Sequence, residues 1–314
     1  MSPRLITLTL NPALDLAADA DAVVPTHKIR MHHEHADPGG GGVNVARVIH
    51  ELGGDVLTVV AAGGASGRVL EEMLDEAGIE RCSVLIQGRT RVSLNVLDQH
   101  TGLEYRFIPE GPMLSQAEFA NFLAAAKAAQ GDWVIASGSL PNGVPEDAYA
   151  RLAAIAAEKG QSFVLDSSGI ALKLALRHGG LTLVKPSLSE FEHLVGRELG
   201  DPAAQDAEAM ALVRSGAAEM IAVTLGHQGA LLATVDGVLR MPAMDVPMHS
   251  SVGAGDAFLG AATLSLARGE SAAEALAWGT AAGATAIACA GTARLRRADV
   301  EERYLQLMAV RGRS

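Results

Sequence analysis

Cysteine is nearly missing from this sequence. Only Cys82 and Cys289 occur in 314 residues, far apart and in no metal-ligand spacing, which excludes a disulfide framework and a cysteine-zinc site and leaves two plain buried thiols as the expectation. Long hydrophobic runs are missing too. The alanine-rich stretches near 122–129 and 279–290 fall short of the roughly 20 consecutive apolar residues of a bilayer span. The first ten residues, Met1 to Leu10, alternate apolar and hydroxylated side chains and lack the regions of a signal peptide, so a first strand and a cytoplasmic protein are expected. Positive charge is scarce: Lys and Arg number 25 against 36 Asp and Glu, a formal net charge of −11, which argues against a nucleic-acid surface. An acidic protein that binds anions must gather its few cations at one place.

Several motifs are absent as well. The phosphate loop G-x-x-x-x-G-K-[ST] occurs nowhere. The dinucleotide fingerprint G-x-G-x-x-G fails at Gly253-Ala-Gly-Asp-Ala-Phe258, whose last position is Phe, which disfavours a nicotinamide enzyme. No G-x-S-x-G accompanies Ser137-Gly-Ser139. His32-His33-Glu34-His35 lacks the H-E-x-x-H spacing, and neighbours on an extended strand point to opposite faces, so it reads as solvated structure. No fixed-period repeat, low-complexity tract or linker-like run interrupts the chain, and a single domain over 1–314 is expected.

With 49% hydrophobic and 19% charged residues, the chain can bury a large core. Helix-period segments alternate with short apolar runs. Helices are expected at 43–52, closed by Gly53-Gly54, and at 67–77, 146–159, 189–195, 203–215 and from 256 onward. Strands are expected at 1–10, 55–61, 131–137, 162–166 and 219–224. Strands separated by helices imply right-handed crossovers and a mostly parallel sheet, an α/β fold. Two stretches, about 13–36 and 91–108, break the rhythm. The second alternates at period two around His100-Thr-Gly102 and reads as a hairpin outside the main sheet, a lid carrying Arg91 and Arg106 over the carboxyl ends of the strands.

The segment Ser250-Ser-Val-Gly-Ala-Gly-Asp-Ala-Phe258 carries the chemistry. A glycine-rich turn that runs straight into a helix lets backbone N–H groups converge, and the helix N-terminus adds partial positive charge, a site for an anion in transfer. Asp256 falls in the first turn, where the dipole is expected to keep it ionised as a proton acceptor. A plain N-cap is the alternative. Asp37-Pro-Gly-Gly-Gly-Gly-Val-Asn-Val-Ala-Arg47 places four glycines ahead of a helix, which admits a ligand close to the backbone beside Asn44; a flexible connection is the alternative.

Together with Thr7-Leu-Thr-Leu-Asn-Pro-Ala-Leu-Asp15, Ser137-Gly-Ser-Leu-Pro141 and Asp166-Ser-Ser-Gly169, these segments resemble the phosphofructokinase B family of ribokinase-like carbohydrate kinases, in register over nearly the whole chain. The resemblance implies a three-layer αβα sandwich with a mostly parallel central sheet and a small antiparallel β lid. It also implies transfer of the ATP γ-phosphate to a sugar phosphate, with Asp256 as general base and the Gly253, Ala254 and Gly255 amides as anion hole. Asp15, the Gly40 and Gly41 backbone, Asn44 and Ser139 would hold sugar hydroxyls. Arg91, Arg106 and Lys28 would hold the phosphate already present, Lys28 by reaching the neighbouring subunit of a homodimer joined through the lid; a solvated lid surface is the alternative for these cations. The nucleotide would lie over Lys185, Ser187, Thr224, Gly226, Gly229, Ser251 and Gly283.

Departures from the family pattern bear on the metal. The family's Asn-x-x-Glu is Ser187-Leu-Ser-Glu190 here, so Mg²⁺ would be held by Glu190 through water and otherwise by the phosphates. A monovalent cation such as K⁺ would bind carbonyls near Ser250, Val252 and Gly291. Ser251 replaces a usual threonine and Asn142 a usual proline. The four-glycine run matches the minor bacterial 6-phosphofructokinases, whereas 1-phosphofructokinases and tagatose-6-phosphate kinases typically carry lysine at position 41. Fructose 6-phosphate is therefore the first expected acceptor. The sister sugar phosphates, an unphosphorylated sugar or nucleoside, and a non-catalytic sugar-phosphate sensor on the same scaffold stay open.

Overall fold

The computed structural model describes residues 3–247, 252–289 and 295–311. From the N-terminal side, β1 (Arg4–Thr9) enters a main sheet, β2 (Ala13–Ala20) and β3 (Met31–Gly39) leave it for a smaller one, and α1 (Gly41–Glu51) returns the chain to β4 (Asp55–Ala62). After α2 (Gly64–Glu76) and β5 (Glu80–Leu85), β6 (Arg91–Asp98) and β7 (Glu104–Phe107) complete the smaller sheet. Then α3 (Gln116–Ala128), β8 (Trp133–Ser137), α4 (Ala148–Glu158), β9 (Ser162–Asp166), α5 (Gly169–His178) and β10 (Leu181–Val184) alternate. Helices α6 (Leu188–Val195) and α7 (Pro202–Arg214) lead to β11 (Ala218–Thr224) and a hairpin of β12 (Ala230–Thr234) and β13 (Gly237–Met241). The last helices are α8 (Ala254–Ala267), α9 (Ala272–Ala288) and α10 (Arg297–Arg311).

The main sheet has nine strands in the order β13-β12-β11-β10-β9-β8-β1-β4-β5, parallel from β11 to β5 with the terminal hairpin antiparallel. Both faces are covered, so its central strands are largely apolar and alternate between two cores. Ile6, Leu8, Val59, Val134 and Ala136 pack with α3, α4, α5, α6 and α7 through Phe122, Tyr149, Leu172, Phe191 and Ala209. Leu5, Val60 and Ile135 point the other way, against α1, α2, α8, α9 and α10. The result is the expected three-layer αβα arrangement. Thr7 and Thr58, buried on the paired strands β1 and β4, satisfy each other through a 2.9 Å hydroxyl bond.

Local chemistry sets the helix ends. Ser115–Glu118, Ser187–Glu190 and Ser271–Glu274 form reciprocal capping boxes at α3, α6 and α9. The expected elements lie within a few residues of those observed, and α1 stops at Gly53, which takes a φ of 75°. The sequence reading omitted β5, β10, β12, β13, α3, α5, α9 and α10. Strand β10 is four buried residues with no alternation, and α9 is apolar on nearly every side, so neither carries a clear period. The thiols of Cys82 and Cys289 are half-buried rather than buried.

The smaller sheet has the order β3-β2-β6-β7: two antiparallel hairpins joined through a parallel β2–β6 pairing. It stands beside the carboxyl ends of the main strands, as expected of a lid. Among the described residues, no helix is long and apolar enough to cross a membrane.

Helix α1 lies so close to β1 that Gly42 leaves no room for a methyl group: a Cβ there would meet the Leu8 carbonyl oxygen at 2.7 Å and clash with the Thr9 hydroxyl. Gly42→Ala is therefore expected to cost roughly 1–3 kcal/mol by overpacking, read as a lower urea midpoint with an unchanged slope.

Candidate active site

The carboxyl ends of β1, β8, β9, β10 and β11 all open toward the lid, where parallel sheets bind ligands. Asp256 stands there in the first turn of α8, after Gly253 has reversed the backbone with a φ of 75°. Its carboxylate is held from two sides. The Asn44 amide, from the first turn of α1, donates to Oδ2 at 2.9 Å, and the Ser137 hydroxyl, from the end of β8, donates to Oδ1 at 3.4 Å. These bonds fix the direction in which the carboxylate can accept a proton.

The expectation that the helix dipole keeps Asp256 ionised meets opposing effects in its surroundings. Burial, and then the nearby charge of Asp166, raise its pKa to about 7, against the downward pull of Asn44, Lys185 and Ser137. A carboxylate poised there is suited to general-base work near neutrality. Lys185, at the end of β10, pairs with Asp166 at 3.1 Å and is almost fully buried. Burial opposes its charge, but Asp166, with Asp256 and Glu190, holds its pKa above the ordinary lysine value. Its ammonium lies beside the Gly255 backbone, within 3.2 Å of where a Cβ would stand. The lysine, the amides of α8 and the helix dipole thus converge on one spot.

On one side of this spot is a cavity of about 170 Å³ lined by Asp15, Gly40, Asn44, Ser93, Asn95, Arg91, Arg106, Gly253 and Asp256. Most of the expected acceptor residues meet here. Asp15 has a raised pKa through burial, opposed by a Ser93 hydrogen bond and by Arg91 and Arg47. Arg91 spends its fork on two carbonyls, Pro109 and Asn11, at 3.0 Å each. Arg106 makes no side-chain hydrogen bond or ion pair among the described residues and is exposed at the cavity mouth.

Three expected residues are placed elsewhere. Gly41 packs on Ser137, with a Cβ position 2.9 Å from the Gly138 nitrogen. Ser139 is exposed outside the cavity and accepts from Asn11 at 3.3 Å. Lys28 lies exposed in the β2–β3 connection and does not reach this chain's own cavity.

On the other side is a cavity of about 300 Å³, lined by Ser187, Thr224, Gly226, Gly229, Ala254, Gly255 and Gly283. Ser187, Thr224, Gly226, Gly229 and Gly283 were expected at a nucleotide; Ala254 and Gly255 border it as the anion hole. Met244, Val246, Phe258 and Ile287 add an apolar lining that sequence reasoning missed, because nothing distinguishes such side chains from core. Ser137 and Asp166 were also missed as functional groups. Their signal was position alone, each ending a central strand. Ser250, Ser251 and Gly291 lie outside the described residues.

Among the described residues, no group of three or more His, Cys, Asp or Glu gathers as a metal cage. Glu190 faces Asp166 and Lys185 electrostatically, but its Oε2 takes the Ser187 amide and hydroxyl at 2.8 and 2.7 Å in the capping box. One oxygen is left for a water, a donor set that fits a largely hydrated ion held mainly by its ligand.

A family model described as "pfkB family carbohydrate kinase" matches residues 8–298. The ATP-dependent 6-phosphofructokinase isozyme 2 of Mycobacterium tuberculosis is 43% identical over 312 residues, 98% of this chain and 90% of that protein. The 1-phosphofructokinase of Xanthomonas campestris is 35% identical over 265 residues, covering 82% of this chain and 83% of its own. The phosphofructokinase-2 of Escherichia coli, solved with fructose-6-phosphate and with potassium, superposes with TM-scores of 0.92 and 0.94 at 36% identity, over 98% of this chain and 99% of its own.

The raised pKa of Asp256 has a stability consequence of definite sign. The unfolded carboxyl ionises near 3.8 and the folded one near 7, so the folded state binds the extra proton between them and stability falls as pH rises through that window. Asp256→Asn removes the penalty. Denaturation at pH 8 should show this variant more stable than the wild type by on the order of a few kcal/mol, with the difference closing toward pH 4.

Proposed function

Because the chain belongs to the pfkB family of carbohydrate kinases, we propose that it transfers the γ-phosphoryl group of ATP to the free hydroxyl of a hexose phosphate, fructose 6-phosphate before others, with Asp256 as general base. The observation that carries this reading is Asp256 itself: a carboxyl with a pKa of about 7, fixed by Asn44 and Ser137, between an acceptor-sized cavity and a nucleotide-sized one. The acceptor hydroxyl gives its proton to Asp256 as its oxygen bonds to the γ-phosphorus; the bond to the bridging oxygen breaks and ADP leaves. The Gly253, Ala254 and Gly255 amides and Lys185 stabilise the charge that spreads over the transferring group.

Asp15 and Asn44, with the backbone at Gly40, hold the sugar hydroxyls, and Arg106 takes the existing phosphate at the cavity mouth with Arg91 behind it. The nucleotide lies over Thr224, Gly226, Gly229 and Gly283. Bound Mg²⁺ would neutralise phosphate charge, with Glu190 holding one of its waters; K⁺, present in one E. coli structure, would use the Val252 carbonyl. Fructose 6-phosphate is favoured over the 1-phosphofructokinase alternative by Gly41. The contact with Ser137 and Gly138 leaves no space for a side chain there, where the family resemblance gives that branch a lysine. The exposed Val92 and Phe107 on the small sheet, with Ile108 just beyond it, support a homodimer joined through the lid, with Lys28 directed at the partner's site. A cytoplasmic location and a single domain over 1–314 belong to the same reading.

ADP release is to be measured with fructose 6-phosphate, fructose 1-phosphate and tagatose 6-phosphate offered separately. The reading expects the highest kcat/KM with fructose 6-phosphate, loss of about 10²–10⁴ in kcat for Asp256→Asn with ATP still bound, and a raised acceptor KM for Arg106→Ala. Full activity of Asp256→Asn would remove the proposed base, and silence on all three acceptors would favour a sensor.

A further inference from the structure

Asp15 and Asp37 are direct cross-strand neighbours on β2 and β3. Two carboxylates in that relation repel, and a cation beside them offsets the repulsion; His35 Nε2 stands 3.9 Å from Asp37 Oδ2, and the closer partner, Arg47, is on α1. Its Nη2 donates to Asp37 Oδ1 at 2.8 Å and its Nη1 to the Pro38 carbonyl at 3.2 Å, with both side chains largely buried. Residues 37 and 38 precede the four-glycine run and Arg47 follows it, so the guanidinium straps the turn closed. A helical side chain reaching back toward the N-terminus takes this direction naturally. The strap matters because a run of glycines has the most backbone freedom to lose. Within the turn, the Gly39 backbone lies against the Asp15 carboxylate, with no room for a Cβ, and Asn44 stands one turn before Arg47 on α1.

We propose that Arg47 is a positioning residue for the acceptor site: by tying Asp37 and Pro38 to α1 and answering the paired charges of Asp15 and Asp37, it holds the turn closed and Asp15 aimed at the sugar. Arg47 touches neither cavity group directly by hydrogen bond; it acts through Asp37, the turn and its field at Asp15. The charged groups around Asp15 are Arg91 on β6, Asp37 on β3 and Arg47 on α1, with Arg106 on β7 and Asp256 on α8 lining the same cavity. Burial raises the Asp15 pKa, Arg91 and Arg47 lower it, and Asp37 raises it. Loss of Arg47 and loss of the Asp37 charge thus move Asp15 in opposite directions, although both break the same ion pair.

That opposition supplies the test, which rests on the kinase reading only in its kinetic half. Carboxyl carbon NMR of the ligand-free protein follows the Asp15 titration in Arg47→Gln, Arg47→Lys and Asp37→Asn. The expected result is an upward shift in Arg47→Gln, little change in Arg47→Lys and a downward shift in Asp37→Asn. In the kinetic half, Arg47→Gln raises KM for fructose 6-phosphate by about tenfold at pH 7, more at lower pH, with kcat and the KM for ATP within about twofold, and Arg47→Lys recovers most of the loss. Shifts of the same sign in Arg47→Gln and Asp37→Asn, or none, would show a merely structural tie and overturn the proposal. So would an Arg47→Lys variant no better than Arg47→Gln. If Arg47→Gln fails to fold, Asp37→Asn still decides by its sign, and if the wild type ignores fructose 6-phosphate, the kinase reading falls while the titration still judges Arg47.

Discussion

Asp256 is a buried carboxyl within electrostatic reach of a second one, Asp166, and the site is arranged around keeping it there. Left alone, such a pair would share a proton, one carboxyl held neutral by the charge of the other. Lys185 answers Asp166 at 3.1 Å, which confines that charge to an ion pair and leaves Asp256 to be balanced by weaker partners. The balance is partial by construction. Asn44 and Ser137 contribute neutral hydrogen bonds, which orient the carboxylate and lower its pKa without pairing its charge. A full ion pair at Asp256 would give a weaker base, and no partner at all would give a carboxylic acid at neutral pH.

Each of these partners comes from a different element, so the proposed base is held only when the strands and helices are assembled. Asn44 belongs to α1, Ser137 to β8, Lys185 to the end of β10, and Asp256 to α8. Their convergence requires α1 and α8 to approach the sheet ends more closely than side chains permit, and the glycines are where the contact is made. Gly41 rests on Ser137, Gly42 on β1, and Gly255 beside Lys185. A methyl group at the first two positions would push α1 outward and take Asn44 with it. The Gly138 turn is anchored in turn by two hydroxyls on one carbonyl, Tyr149 at 2.7 Å and Ser167 at 3.2 Å, so Ser137 is held from below.

The glycine segments were legible in the sequence because close approach leaves a chemical trace, and so was Asp256, because a turn opening into a helix announces an anion site. The mostly parallel sheet followed from the alternation of strands and helices, but its strand order did not. The Lys185–Asp166 pair was half legible: Lys185 was assigned to the nucleotide, but nothing near it in sequence shows that its ammonium is committed to an acid nineteen places earlier, a contact made only by the parallel pairing of β9 and β10. Arg91 was half legible for a similar reason. Its identity suggests a phosphate fork, while its use on the Pro109 and Asn11 carbonyls depends on a chain crossing that only the folded lid creates. Apolar residues such as Phe258 and Met244 carry no local mark that separates a cavity wall from a core.

An acidic chain that handles anions raises the question of attraction, and the site answers it by pairing rather than by excess. Asp15, Asp37, Asp166, Glu190 and Asp256 face Arg47, Arg91, Arg106 and Lys185, so the acids around the cavities are not outnumbered by bases. Long-range steering by net positive charge is therefore not what the site offers, and in a protein of charge −11 screening by salt would favour the approach of an anion rather than oppose it. What remains is short-range and directional. The amides at the start of α8 carry no net charge, Lys185 is fixed by its partner, and Arg106 alone at the mouth is unspoken for among the described side chains of the cavity. Affinity for a phosphorylated ligand then depends on bonds made after arrival, and a base such as Asp256 is spared the strong positive field that would lower its pKa out of the useful range.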